Sequence, residues 1–268
     1  MRLFLESANL QDVRAVASWG VLSGVTTTPT LLADEGVAGT HRIGEICSTI
    51  PGQVTASVDA VTRDEMVAAG KETAALADNV VVQFPVNVDS LAACRILSEA
   101  GVPVSMVLVF STAQAIMCAN AGARYCAPFV SRVDDIGGDG IMLLEEIAQV
   151  FAVQGYSTEI LAMSLQSPTQ VVAAARAGAD IASVPYDVFS QMVSNPLTDL
   201  CAERFAEDWA RPVRAVDAHS PQLPGATTPV QPSFEPGTQA PYSYEPGQPA
   251  QQFPTFEPGA GGFEPSQG

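Results

Sequence analysis

Asn79-Val80-Val81-Val82-Gln83, then Ser90-Leu91-Ala92-Ala93-Cys94-Arg95-Ile96-Leu97, then Ala100-Gly101-Val102-Pro103, then Val104-Ser105-Met106-Val107-Leu108-Val109 follow in order along the chain. The first run is short and β-branched, which suits a strand covered on both faces. The second repeats apolar residues every three to four positions, the period of a helix. Gly101 offers the left-handed turn that stops a helix without a Cβ penalty, and the chain then re-enters an apolar strand. Strand, crossover helix and strand make a parallel βα unit.

Working outward, the same rhythm recurs at Ala121-Gly122-Ala123-Arg124 and Ala177-Gly178-Ala179-Asp180, each a helix stop ahead of a strand. The apolar runs predict strands at Arg2 to Glu6, Leu22 to Thr26, Gln53 to Val58, Asn79 to Gln83, Val104 to Val109, Arg124 to Pro128, Glu159 to Met163 and Ile181 to Val184. Helices are predicted over Asp64 to Ala77, whose acids open the first turn where the dipole favours them, and over Ile141 to Phe151. Eight strands alternating with helices imply an α/β fold, a (β/α)8 TIM barrel, with its functional groups at the C-terminal ends of the strands.

The chain has 268 residues, 47% of them hydrophobic, enough for one barrel core. Its net charge of -17 argues against nucleic acid or an anionic membrane as partner, since both want basic patches. No apolar run reaches the roughly 20 residues of a membrane span, and Glu6 follows Met1 too soon for a signal peptide, so a cytoplasmic location is expected. The five cysteines are scattered without ligand spacing and read as buried, reduced thiols. His41 and His219 stand apart from ligand-spaced acids, so no metal site is expected.

Beyond Arg214 there is no Lys or Arg, aliphatic residues nearly vanish, and eleven prolines fall in the last 48 residues. Such a composition cannot offset the entropy of ordering, which predicts a disordered Pro/Gly-rich tail over 214–268 after a barrel domain over 1–213. The tail repeats an aromatic-Glu-Pro motif four times, at Phe234, Tyr244, Phe256 and Phe263. It reads either as a solubilising segment or as a set of weak docking points for a protein partner.

Five stretches carry a resemblance: Leu3-Phe4-Leu5-Glu6-Ser7-Ala8, Gly24-Val25-Thr26-Thr27-Thr28-Pro29-Thr30, Val81-Val82-Gln83-Phe84-Pro85-Val86, Ala127-Pro128-Phe129-Val130-Ser131-Arg132-Val133-Asp134 and Ala162-Met163-Ser164-Leu165-Gln166-Ser167-Pro168. In order and spacing they resemble the small transaldolases, in particular the fructose-6-phosphate aldolase branch, over roughly residues 1 to 213. That resemblance implies a class I aldolase site in which a lysine ending the fourth strand forms a Schiff base with a ketose, with no cofactor. Here the matching residue is Gln83, and an amide cannot form an iminium. The only lysine, Lys71, lies a predicted helix earlier and reads as a surface residue.

By the same resemblance, Ser57, Val107 and Phe129 stand where the family holds its catalytic water, and all three weaken the handles for it. Glu6 stands where an Asp is usual. Thr28 replaces an expected Asn and, with Thr26, is a ligand-binding candidate. Arg132 and Ser164 match positions that hold the substrate phosphate. The plain alternative for Arg132 is an ion pair with Asp134, Asp135 or Glu6. The Gly137-Gly138-Asp139-Gly140 loop opens the next helix, where Asp139 opposes an anion.

Retained phosphate handles beside lost catalytic ones imply an oligomer of carbohydrate metabolism that binds a small sugar phosphate as a scaffold or regulator, having lost Schiff-base catalysis. The alternative is an active aldolase or transaldolase using an unrecognised residue. Leu197, Leu200, Cys201, Phe205 and Trp209 share a face of a predicted helix over Pro196 to Trp209, which resembles the family's subunit-packing helix. A ring-like homo-oligomer, such as a decamer, is the expected assembly.

Overall fold

The computed structural model describes residues 1–211. The expected tail over 214–268 and its four repeats lie outside the described residues, as does His219.

Eight parallel strands close into a barrel in sequence order: β1 (Arg2–Glu6), β2 (Leu22–Thr26), β3 (Gln53–Ser57), β4 (Val80–Pro85), β5 (Val104–Val109), β6 (Tyr125–Pro128), β7 (Glu159–Ala162) and β8 (Ile181–Pro185), with β8 pairing back onto β1. Helices join them: α1 (Leu10–Ser18), α2 (Pro29–Asp34), α3 (Gly39–Thr49), α4 (Arg63–Ala74), α5 (Val88–Glu99), α6 (Thr112–Asn120), α7 (Val130–Asp134), α8 (Gly140–Gln154), α9 (Pro168–Arg176), α10 (Tyr186–Val193) and α11 (Pro196–Ala210). This is the expected (β/α)8 TIM barrel.

Local chemistry sets the boundaries. Thr62 and Glu65 form a capping box at the start of α4, and Asn87 with Ser90 forms another at α5, each satisfying donors that a helix start leaves free. Gly101, Gly122 and Gly178 adopt φ of 80°, 83° and 93°, the left-handed stops expected after α5, α6 and α9.

Alternation along each strand divides the core in two. Outward residues such as Val80, Val82 and Phe84 pack under the helices. Inward residues Phe4, Val81, Val107, Tyr125, Ala127, Leu161, Met163 and Ile181 fill the barrel itself. Gly24 makes room for this filling, since a Cβ there would meet the Phe4 ring and the Gln53 carbonyl at 2.6 Å. The barrel is therefore plugged from below; Glu6, Thr26, Ser57 and Gln83 face inward towards the C-terminal ends of their strands, while Thr55 and Ser105 lie deeper.

Cys94, Cys118 and Cys126 are buried, and burial pushes the Cys94 thiol up to about 12. Cys201 departs from the buried-thiol expectation: it is exposed on α11, a helix with no buried residue. Among the described residues, no helix is long and apolar enough to cross a membrane.

Candidate functional site

The polar inward residues form two walls of the barrel mouth. On the first, Ser57 of β3 pairs in register with Gln83 of β4, and Gln83 with Ser105 of β5, which lies deeper, beneath Val107. Gln83 is 2% exposed, and its amide nitrogen donates to Ser57 Oγ at 2.9 Å and to the Thr27 carbonyl at 3.3 Å. Both amide hydrogens are thereby used. Gln83 Oε1 and the hydroxyl of the fully buried Ser105 meet no hydrogen-bond partner in the protein. Buried polar atoms without partners are uncommon, and each unmet group costs about 1–3 kcal/mol.

On the second wall, β1, β2 and β8 bring together Glu6, Thr26 and Ser183. Ser183 Oγ donates to Glu6 Oε2 at 3.5 Å, and the Thr26 and Ser183 hydroxyls share a short hydrogen bond. Thr26 is fully buried and also reaches the Leu5 carbonyl at 3.5 Å. Each hydroxyl carries one hydrogen, so with Glu6 ionised the chain runs from Thr26 through Ser183 to the carboxylate. With Glu6 neutral it can reverse and end on Leu5.

Burial raises the Glu6 carboxyl above its ordinary value, against the opposing pull of the Ser164 backbone N–H, the Ser183 hydroxyl and the Arg132 charge. This geometry brings Glu6, Ser164, Ser183 and Arg132 into one neighbourhood. Ser164 sits just past β7 with φ 61°, and Leu108 on β5 has φ 57°; among the described residues these two alone are left-handed without being glycine. Both lie at the mouth end of the barrel, and backbone held in this costly region gathers at functional sites. The Ser164 carbonyl is anchored by the Ser131 hydroxyl.

Other expected positions serve differently. Thr28 caps α2, its hydroxyl accepting from Leu31 N at 3.2 Å. Val107 is an apolar wall residue, and Phe129 packs beside that inner cluster with its ring 6.3 Å from Phe110. Arg132, in the last turn of α7, is largely exposed and pairs with Asp135 at 3.3 Å, one of the partners that the plain ion-pair alternative named. Asp139 spends its carboxylate capping α8, so it sets a negative charge at that helix start. Lys71 is exposed in the last turn of α4, towards the opposite end of the barrel.

Sequence reasoning passed over Thr27, Thr55, Ser105 and Ser183. Thr27 Oγ1 donates to the Thr55 carbonyl at 2.6 Å, and Thr55 Oγ1 accepts from Thr27 N at 3.2 Å, tying β2 to β3 beneath Gln83. The signal that could have found them is a hydroxyl within an apolar strand at an inward position. Among the described residues, no cluster of three or more His, Cys, Asp or Glu side chains is placed to hold a metal ion; His41 pairs with Glu45 on α3.

A sequence profile described as Transaldolase/Fructose-6-phosphate aldolase matches residues 3–223. A protein of Symbiobacterium thermophilum named "Probable transaldolase" is 47% identical over 209 residues, covering 78% of this chain and 97% of the relative. A "Probable transaldolase" of Thermus thermophilus is 44% identical over 220 residues, covering 79% and 99%. "Probable transaldolase 1" of Listeria monocytogenes is 42% identical over 209 residues, covering 78% and 98%.

Proposed function

This chain belongs to the transaldolase/fructose-6-phosphate aldolase family, and we propose that Gln83 takes the place of its Schiff-base lysine in a barrel that binds a small sugar phosphate without aldol turnover. The observation that carries this reading is the state of Gln83: a buried amide locked by Ser57 and Thr27, where carbonyl capture needs a free amine. The chain's single lysine, Lys71, is exposed on α4 and has no route to the mouth. Val107 and Phe129 offer no hydroxyl to steady a water, and Ser57 is engaged by Gln83.

Arg132 is the cation beside Glu6 and Ser164, and its guanidinium suits an oxyanion better than a lone exposed aspartate does. Thr26 has its hydroxyl committed within the protein, Thr28 keeps its own hydrogen for a ligand, and the phosphate end of a ligand rests on Arg132 and Ser164. The exposed Leu197, Leu200, Phe205 and Trp209 of α11 support a homo-oligomer. Such an assembly would present many copies of the 214–268 segment to a partner, as scaffold or regulator.

Thermal shift with fructose 6-phosphate tests the reading. The wild type should be stabilised and Arg132→Ala should not; equal shifts in both remove Arg132 from the site. Cleavage of fructose 6-phosphate by the purified chain would instead favour an active aldolase using another residue.

A further inference from the structure

The two groups assigned to the phosphate end of a ligand lie on separate pieces of chain, Arg132 on α7 and Ser164 in the segment between β7 and α9. Neither piece holds itself. α7 has five residues and its N-cap, Phe129, makes no side-chain bond to it; a helix that short does not persist alone in water. Ser164 has φ 61°, a left-handed conformation that a residue with a Cβ adopts only at a cost.

Hydrogen bonds between the two pieces supply what each lacks. Val130 N donates to the Met163 carbonyl at 3.0 Å, and the Ser131 hydroxyl donates to the Ser164 carbonyl. On the other side of Arg132, Gln170 reaches both pieces with one side chain from the first turn of α9. Its Oε1 accepts from Gln166 N at 2.7 Å, just past Ser164, and its Nε2 donates to Asp134 Oδ2 at 3.1 Å, just past Arg132. Asp134 Oδ1 in turn accepts from Gly140 N at 2.8 Å, which ties in the start of α8. The Ser131 hydroxyl also lies 3.4 Å from Gln170 Oε1, but its single hydrogen serves the Ser164 carbonyl, so Gln166 N is the partner that fixes the Gln170 oxygen.

We propose that Gln170 is a positioning residue for anion binding: by tying the 164–166 segment to the end of α7, it fixes the spacing of Arg132 and Ser164 so that both meet one phosphate. This rests on the phosphate-binding reading above. Gln170 itself touches no ligand and acts through those two residues. Without it, a phosphate has to order the two pieces as it binds, and affinity falls by the cost of that ordering.

The donor and acceptor of the Gln170–Asp134 bond can be exchanged. Gln170→Glu keeps an acceptor for Gln166 N but sets a carboxylate against that of Asp134. Adding Asp134→Asn returns a donor between them, keeps an acceptor for Gly140 N and restores the net charge of the wild type. The test is calorimetric titration of the full chain and these variants with fructose 6-phosphate, beside melting temperatures of the unliganded proteins. Gln170→Met, which removes both bonds at similar length and without a charge, should weaken binding about tenfold, the affinity equivalent of one hydrogen bond to a charged group. Gln170→Glu should weaken it at least as much, and the Gln170→Glu/Asp134→Asn pair should restore most of the loss. Binding that is lost in Arg132→Ala but unchanged in Gln170→Met and Gln170→Glu would overturn the inference and leave phosphate binding standing, whatever the melting temperatures do. Weak binding that the exchanged pair does not recover would overturn it too. Failure of the wild type to bind would overturn the phosphate reading and this inference with it.

Discussion

The two sides of the barrel interior are made of the same materials and finish differently. On the β1, β2 and β8 side, Thr26, Ser183 and Glu6 join in a chain of hydrogen bonds. On the β4 and β5 side, Gln83 spends its hydrogens on Ser57 and Thr27 and leaves its oxygen, like the Ser105 hydroxyl, unmatched. A closed network rigidifies and contributes to stability; an open one costs stability. One side is thereby complete within the protein and the other is not, and substitutions can break or sharpen the contrast.

The largest effect belongs to the closed wall. Ser183→Ala strips a partner from both buried Thr26 and Glu6, and should lower unfolding free energy by about 1–3 kcal/mol in denaturant titrations. A loss below about 0.5 kcal/mol would mean that the chain of hydrogen bonds is not holding the wall.

Glu6→Gln comes next and is read through pH. Burial raises the folded carboxyl above its ordinary 4.5, so folding takes up a proton between the two values. That contribution to stability is fully present below 4.5 and is lost as pH rises through the folded value. Glu6→Gln removes the loss, and the variant's melting temperature should gain on the wild type from pH 4.5 upward. A constant difference across that range would show that Glu6 titrates as it does in the unfolded chain.

Arg132→Ala, at an exposed pair with Asp135, should change the stability of the unliganded protein by less than about 1 kcal/mol while abolishing stabilisation by sugar phosphate. Smallest of all is Ser105→Ala, which deletes an unmatched buried hydroxyl and should leave unfolding free energy within about 0.5 kcal/mol of the wild type, or above it. A loss above about 1 kcal/mol there would mean that the open wall is closed after all.

The barrel was legible because its signals are local. A β-branched run such as Val80-Val81-Val82 has few alternatives to a buried strand, and Gly101, Gly122 and Gly178 mark turns that other residues reach only at a cost. Strand limits shifted by a residue or two, as where β4 runs on to Pro85 and β7 stops at Ala162.

The site was legible only in part, because hydrogen-bond partners far apart in sequence are set by closure of the sheet. Nothing in Ile181-Ala182-Ser183 tells that Ser183 faces Thr26, 157 residues earlier. That the Thr28 hydroxyl also caps α2, accepting from Leu31 N, shows only once the chain turns into that helix. The absence of ligand spacing that reads Cys201 as a buried thiol says nothing of what covers its helix face, and α11 leaves it exposed.

The mouth's chemistry turns on whether any amine of this chain captures a ketone. Sodium borohydride added to the purified chain with dihydroxyacetone, followed by intact mass, answers directly. The account predicts an unchanged mass, since Gln83 cannot form an imine and Lys71 stands outside the barrel mouth. A single reduced adduct, mapped to Lys71, would contradict it.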